Sequence, residues 1–468
     1  MTQRVFPENF IWGTATAAYQ VEGGVAADGR TPSIWDTFCA GAGNILDGSN
    51  GDVACDQYHR YPQDVQLMKE LGTNAYRFSI AWPRIQPSAD GVVNQKGIDY
   101  YSRLVDELLQ AGISPVVTLY HWDLPQYLQD LGGWPNRDVA YRFAEYAQVM
   151  VRALGDRVHT WSTLNEPWCV AYLGYAEGSH APGLHDHPAS LRAAHHLNLA
   201  HGLGIQAIRS VLPDARTSVT LNLQALYPAS ETEADRGAVA QLQRVANDIW
   251  LLPILEGRYD PQLFADTAHV TDWSFVKDQD LAEVKQPLSV LGVNYYSTTT
   301  VRRNLRAQLP SFEQAAKSDW VGAWPGAETI EFLPPVGPLT EMGWNQNPAA
   351  LTELLLAVHN RYPALELMIT ENGSAFADEV GPDYQVHDPK RVAYLAAHIE
   401  AIGQAIDAGV PLTGYFAWSL LDNFEWAFGY GKRFGLFFTD YQTQERIWKD
   451  SARWYQQLAK ANRVPSGV

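Results

Sequence analysis

Cysteine is scarce in this chain and follows no pattern. Cys39, Cys55 and Cys169 are the only three in 468 residues, no CxxC occurs, and three cannot all pair with one another. That usage fits a reducing compartment, with at most one bridge possible. Long apolar runs are missing too. No stretch reaches the ~18 consecutive apolar residues of a membrane span. The N-terminus, Met1-Thr2-Gln3-Arg4-Val5-Phe6-Pro7-Glu8, carries no apolar segment followed by a small-residue cleavage site, so the expected location is the cytoplasm. Positive charge is in deficit: Lys+Arg 34 against Asp+Glu 52 gives 34 − 52 = −18. A chain this acidic has no electrostatic reason to hold nucleic acid or an anionic membrane. The charge is also spread out, without single-sign runs, and reads as a solvated surface. Short repeats, low-complexity tracts and metal-ligand motifs such as HExxH are absent as well.

What the chain does have is an alternation of short apolar runs and helical patterns. Strand candidates are Phe10–Gly13, Asn74–Ile80, Ser114–His121, a run ending at Glu166, Thr217–Leu223, Leu288–Tyr296, Leu365–Thr370 and Leu412–Leu420. Between and after them lie helix candidates near 62–71, 95–111, 139–154, 191–212, 235–256, 348–361, 389–408 and 450–461. In the second of these Ile98, Tyr101, Val105, Leu108 and Leu109 recur at helical spacing, and Gly112 is the stop. About fifty residues after the sixth strand are interrupted by Pro310, Pro325, Pro334, Pro335 and Pro338 and read as an irregular functional rim. Eight strand–helix units, with strands that read as apolar runs, predict one closed (β/α)8 TIM barrel over residues 1–468; a doubly wound open sheet is the alternative.

In a barrel the reactive groups sit where strands end. Here those ends read Gln20, His121-Trp122, Asn165-Glu166, Asn222, Asn294 to Tyr296, Glu371 and Trp418. The runs ending in Asn165-Glu166-Pro167 and in Glu371-Asn372-Gly373 have the same form. Their acids are 371 − 166 = 205 residues apart in sequence, yet both belong at one mouth. Arg77 falls inside an apolar strand, where an unpaired guanidinium is costly, so it requires an anion. Glu371 is the best candidate partner, with another barrel acid as the alternative. Such pairing would keep Glu371 ionised, and its charge would raise Glu166 and leave that acid protonated.

Four segments together resemble glycoside hydrolase family 1, the retaining β-glucosidases: FIWGTATAAYQVEGG (10–24), TLNEP (163–167), ITENG (369–373) and WSLLDNFEWAFGYGKRFGL (418–436). Gln57 departs from the His or Phe frequent in that family. The resemblance implies that Glu166 is the acid/base and Glu371 the nucleophile, standing ~5 Å apart across the scissile bond. It implies support from Arg77, Asn294 and Tyr296, the last placed against the nucleophile. It assigns sugar binding to Gln20, His121, Trp122, Asn165, Asn222, Tyr296, Trp418, Glu425, Trp426 and Phe434. Trp168 and Trp344, outside the matched motifs, are candidates for the aglycone side. No cofactor or metal is implied, and the partner is a small β-glucoside or disaccharide, with oligomeric state left open.

An anionic Glu425 would repel a sugar 6-phosphate, which argues against a phosphoglycosidase. A thioglucosidase or a non-catalytic sugar-binding protein would be expected to lack one of the two acids. A broader β-glycosidase preferring galactose or fucose remains open. His180, His185, His187, His195, His196 and His201 read as rim and helix-surface residues rather than ligands. Cys169 lacks a histidine–acid context and reads as packing.

Overall fold

The computed structural model describes residues 4–306 and 324–465; Met1 to Gln3 and Pro310 lie outside them. Eight parallel strands close into a barrel: β1 Ile11–Ala15, β2 Ala75–Ser79, β3 Ser114–Tyr120, β4 Thr160–Asn165, β5 Arg216–Leu221, β6 Val290–Asn294, β7 Glu366–Asn372 and β8 Leu412–Trp418. Each strand pairs with its sequence neighbours, and β1 closes on β8 with Ile11 opposite Gly414 and Ala15 opposite Trp418. The fold is therefore a (β/α)8 barrel, not an open doubly wound sheet.

The strands are less uniformly apolar than expected. Thr14, Arg77, Thr118, Ser162, Thr220 and Thr370 are all buried within them. Arg77 on β2 bonds to side chains of β4, β5 and β7, so a polar network fills the top of the barrel.

Helices follow the strands: α1 Gln57–Leu71, α2 Gln95–Gln110, α3 Asp138–Leu154, α4 His187–Val211, α5 Glu233–Gln243, α6 Pro348–Arg361, α7 Pro389–Asp407 and α8 Asp450–Ala461. Helix α1 starts five residues before Pro62. A proline so near the start removes a single ladder bond, the one to the Tyr58 carbonyl. On α2 Ile98, Tyr101, Val105 and Leu108 are buried, but Leu109, one step further round the helix, is exposed. The helix expected over 235–256 is broken: α5 passes into a π-helical stretch, Arg244–Asp248, before Ile249–Glu256 resumes.

The segment after β6 is less irregular than its prolines suggest. Thr298–Arg303 and Ile330–Phe332 join Ala225–Pro228 in a three-stranded sheet above the barrel. Among the described residues no helix is long and apolar enough to cross a membrane.

Candidate active site

The C-terminal ends of the strands surround a cavity of about 630 Å³, within the range of small-molecule sites. Glu166 follows β4 directly, whereas Glu371 lies inside β7, which runs two residues further than its apolar stretch indicates. Both carboxyls are buried and both line the cavity. Three non-glycine residues of this mouth, Trp122, Glu166 and Trp426, have φ of 78°, 45° and 50°. Such conformations persist only where surrounding contacts impose them. Gly373 has a different reason to be there. A Cβ on it would stand 1.8 Å from the Trp418 carbonyl oxygen, so only glycine lets the end of β7 meet that of β8.

The two acids have different neighbours. Glu371 Oε1 accepts from Arg77 Nη1 at 2.7 Å, and its Oε2 accepts from the Tyr296 hydroxyl at 2.8 Å. Glu166 Oε1 accepts from Asn294 Nδ2 at 2.7 Å, and no cation touches it among the described residues. Asn165 joins the two sides, accepting from Arg77 Nη2 at 2.7 Å and from Asn294 Nδ2 at 3.2 Å. Thr370 holds the Asn294 amide by donating to its Oδ1 at 2.7 Å.

Burial pushes Glu166 up to about 8, and the negative charge of Glu371 adds to it. Burial raises Glu371 as well, rather than leaving it at an ordinary carboxylate value. Here the Arg77 guanidinium and the bonds from Tyr296 and Asn294 pull the other way. Two buried acids facing each other share one negative charge, and it settles on the one that holds the cation. The arrangement thus supplies a carboxylate and a carboxylic acid side by side.

Behind and beside them lie groups suited to a polyhydroxylated ring. Gln20 does not end a strand as expected. It sits in the one-turn helix Ala18–Val21, because β1 stops at Ala15 and the chain folds back under the loop after β8. Its Nε2 donates to Asn423 Oδ1 at 3.0 Å and to the Phe424 carbonyl at 2.8 Å, while its Oε1 has no hydrogen-bond partner among the described residues. Gln20, Arg77 and Asn165 stand behind the cavity wall; the other candidate residues line it. His121 is kept neutral by burial and by the Arg77 charge, and its Nδ1 has no hydrogen-bond partner among the described residues. The Trp122 indole N–H is committed to the Asn165 carbonyl at 2.9 Å, so this residue offers a plane rather than a donor. Its ring packs 4.6 Å from Trp426, and the His121 ring stacks 5.9 Å from Trp418. Phe434 lies 6.1 Å from Tyr296.

Glu425 needs a correction. Burial, then the charges of Glu371 and Glu166, push it up to about 8, so near neutrality it is mostly the acid and not a repelling anion. No lysine or arginine is among the described residues lining the cavity.

On the outer side the Trp168 ring lies 4.7 Å from Trp324, which lies 5.2 Å from Phe332. Trp344 packs 5.2 Å from Tyr296 and so touches the inner site as well as the rim. Trp324 and Phe332 were not singled out from the sequence, where an isolated aromatic in a proline-rich stretch has no pattern to mark it. Cys169 is buried in the core, as expected of a packing residue, and its Sγ also lies 3.2 Å from Glu166 Oε2.

The histidines of α4 are not on its surface: His187, His195, His196 and His201 are buried. His195 bridges Asp280 and the Tyr259 hydroxyl, and His201 pairs with the Thr163 hydroxyl. Among the described residues no group of three or more His, Cys, Asp or Glu could hold a metal ion.

Comparison with known proteins now decides the family. The model of Glycosyl hydrolase family 1 matches residues 2–464. The chain belongs to that family. It is 52% identical over 463 residues to the bifunctional β-D-glucosidase/β-D-fucosidase of Bifidobacterium breve, covering 97% of this chain and 98% of that one. It is 45% identical to β-glucosidase A of Thermotoga maritima, covering 99% of both. Among solved structures, the psychrophilic β-glucosidase of Micrococcus antarcticus superposes with a TM-score of 0.93 at 43% identity, covering 99% of this chain and 100% of that chain. The Thermotoga maritima enzyme in complex with deoxynojirimycin gives 0.91 at 43% identity, covering 98% and 100%. This glycosyl hydrolase is thus an enzyme acting on glycosides; three of the four motifs that suggested its family line one cavity, and the first stands behind it through Gln20.

Proposed function

We propose that the chain is a retaining β-glucosidase that removes terminal β-D-glucosyl residues from cellobiose, short cello-oligosaccharides and aryl β-glucosides. One observation carries the assignment of roles. Arg77 and Tyr296 both bind Glu371 and neither binds Glu166. Glu371 is therefore the nucleophile, attacking the anomeric carbon as a carboxylate. Glu166 gives its proton to the departing oxygen, then as a carboxylate takes one from the water that releases the sugar. Tyr296 steadies the nucleophile before attack, and Asn294 orients the acid. Gln20, His121, Asn165, Asn222 and Glu425 bind hydroxyls over the planes of Trp122, Trp418, Trp426 and Phe434, while Trp168 and Trp344 border the aglycone. The whole chain acts as one catalytic unit, a reading supported by the closure of β1 on β8 and by the extent of the family match. Three free thiols favour a reducing, cytoplasmic setting, which cell fractionation tests.

A 2-deoxy-2-fluoro glucoside with a good leaving group tests the roles, because fluorine slows both steps while the good leaving group restores attack alone. One equivalent of sugar should be found on the peptide containing Glu371. Label on Glu166, or none with full turnover, would overturn the assignment.

A broader specificity, with fucose or galactose accepted, is the second reading. It is favoured by the Bifidobacterium breve relative, a bifunctional β-D-glucosidase/β-D-fucosidase. Relative kcat/KM on nitrophenyl β-glucoside, β-fucoside and β-galactoside separates the two.

A further inference from the structure

Cys169 stands in the cavity wall with no part in the roles above. It opens the π-helical segment Cys169–Glu177, three residues past Glu166. Its Sγ donates to Glu166 Oε2 across 3.2 Å, and Asn222 Nδ2 lies 3.7 Å from the same sulfur, on the donor side of a second hydrogen bond. The other oxygen of the acid, Oε1, is already taken by Asn294 Nδ2. An amide NH₂ only donates, so the proton of neutral Glu166 belongs on Oε2, the oxygen beside the thiol.

We propose that Cys169, held by Asn222, is a positioning residue that sets how readily Glu166 releases and recovers its proton. This rests on the reading of Glu166 as acid/base. When Glu166 is a carboxylate, the S–H donates to Oε2; when it is protonated, the sulfur can only accept weakly. A hydrogen bond to a charged acceptor is the stronger of the two, so the thiol favours the ionised form. It thereby opposes burial and the Glu371 charge, both of which hold the proton on. An acid/base must be neutral in the first step and ionised in the second, and the thiol favours the second. Cys169 does not ionise itself: burial, then the Glu166 charge, keeps it a thiol. The other groups around the pair are Glu371 on β7, Arg77 on β2, Tyr296, Glu425 and, on the cysteine's own segment, Glu177. Replacing the thiol changes none of them.

The test is the pH dependence of kcat/KM on nitrophenyl β-glucoside for full-length Cys169→Val, Cys169→Ala and Cys169→Ser. In the valine and alanine variants the alkaline limb should move up by about 0.5–1 pH unit. Hydrolysis of the glycosyl-enzyme, the step needing the carboxylate, should slow about three- to tenfold on a dinitrophenyl glucoside. Serine, which keeps a donor, should move the limb back toward the parent. A limb unmoved in both apolar variants, or moved as far by serine as by valine, would reduce Cys169 to packing. Glu166→Gln is the control for the underlying reading. If that variant keeps the parent alkaline limb, the acid/base assignment fails; if it loses the limb while the cysteine variants keep it, only the thiol's role fails.

Discussion

The two ends of the cavity are built differently. The inner end, where β8 runs into the loop 419–436, is fixed by buried charge. Asp422 accepts from Lys449 Nζ at 2.7 Å, from the Gly435 amide at 2.8 Å and from Arg433 Nη1 at 2.8 Å. Lys449 also binds Asp378, which Arg391 holds at 2.7 Å, so the loop is tied to the starts of α7 and α8. Trp418, Glu425 and Trp426 are all buried against this frame. The outer end is held differently: Trp168, Trp324 and Phe332 meet ring to ring, Phe332 ends a strand whose Arg302–Glu331 ion pair is exposed, and Val336 is 84% exposed. The proposed chemistry, which needs sub-ångström placement, sits where buried charges pin the backbone, and the proposed aglycone side sits where ring contacts, an edge sheet and an exposed ion pair do the holding.

The inner end should fail completely when its chemistry is removed. On the proposed roles Glu371→Gln removes the nucleophile, and turnover of cellobiose should fall by roughly 10⁴-fold or more. Azide or formate, small enough to attack in its place, should restore part of the rate with inverted product, read by nuclear magnetic resonance of the first sugar released.

Breaking the frame without touching the chemistry should come next. Lys449→Met leaves Asp378 and Asp422 short of a buried partner, so the fold should lose about 3 kcal/mol in chemical denaturation. KM should rise as the Glu425–Trp426 loop loosens. Equal stability with unchanged KM would mean that Arg391 and Arg433 suffice to hold the loop.

The pH profile sharpens the contrast within the inner end. On the proposed roles Glu166 is the acid of the first step, and burial raises its carboxyl to about 8. kcat/KM should therefore hold through neutrality and fall as pH rises through about 8, when the proton is lost. A fall already complete near the ordinary glutamate value would contradict the pairing of the two acids.

The outer end should give the smallest and most selective effect. Trp324→Ala or Phe332→Ala should weaken cellobiose by about five- to tenfold, the worth of one aromatic contact, and nitrophenyl glucoside much less. Trp344→Ala should be less selective, because that ring also leans on Tyr296.

The same contrast explains how much could be read from the chain. The ends of β4 and β7 were legible because apolar runs stop on Asn-Glu and Glu-Asn pairs, and the partnership of Arg77 with Glu371 followed from the cost of a buried guanidinium. Gln20 was placed at a strand end, but it lies in a helical turn because its position depends on Phe424 and Asn423, some four hundred residues away. The buried histidines of α4 were put on its surface, since burial there is set by Asp280 and Trp134, which no helical period announces. Trp324 and Cys169 reach the cavity's other residues only through neighbours brought in by the fold. Local pattern reveals strands and their terminal groups, whereas contacts between distant loops leave no periodic trace.

The division of labour between the two acids is tested most directly by Glu166→Ala, comparing cellobiose with dinitrophenyl β-glucoside, with and without azide. Protonation matters in proportion to how poor the leaving oxygen is, and general acid catalysis is typically worth about 10²–10⁴-fold. Cellobiose turnover should therefore fall by at least that much. Dinitrophenolate should still be released in a fast burst, with the glycosyl-enzyme accumulating because water has lost its base. Azide, which needs no base, should relieve the block and yield β-glucosyl azide. Equal slowing of both substrates with no response to azide would contradict the assignment, leaving Glu166 a binding or structural residue and moving the acid to another group at the barrel mouth.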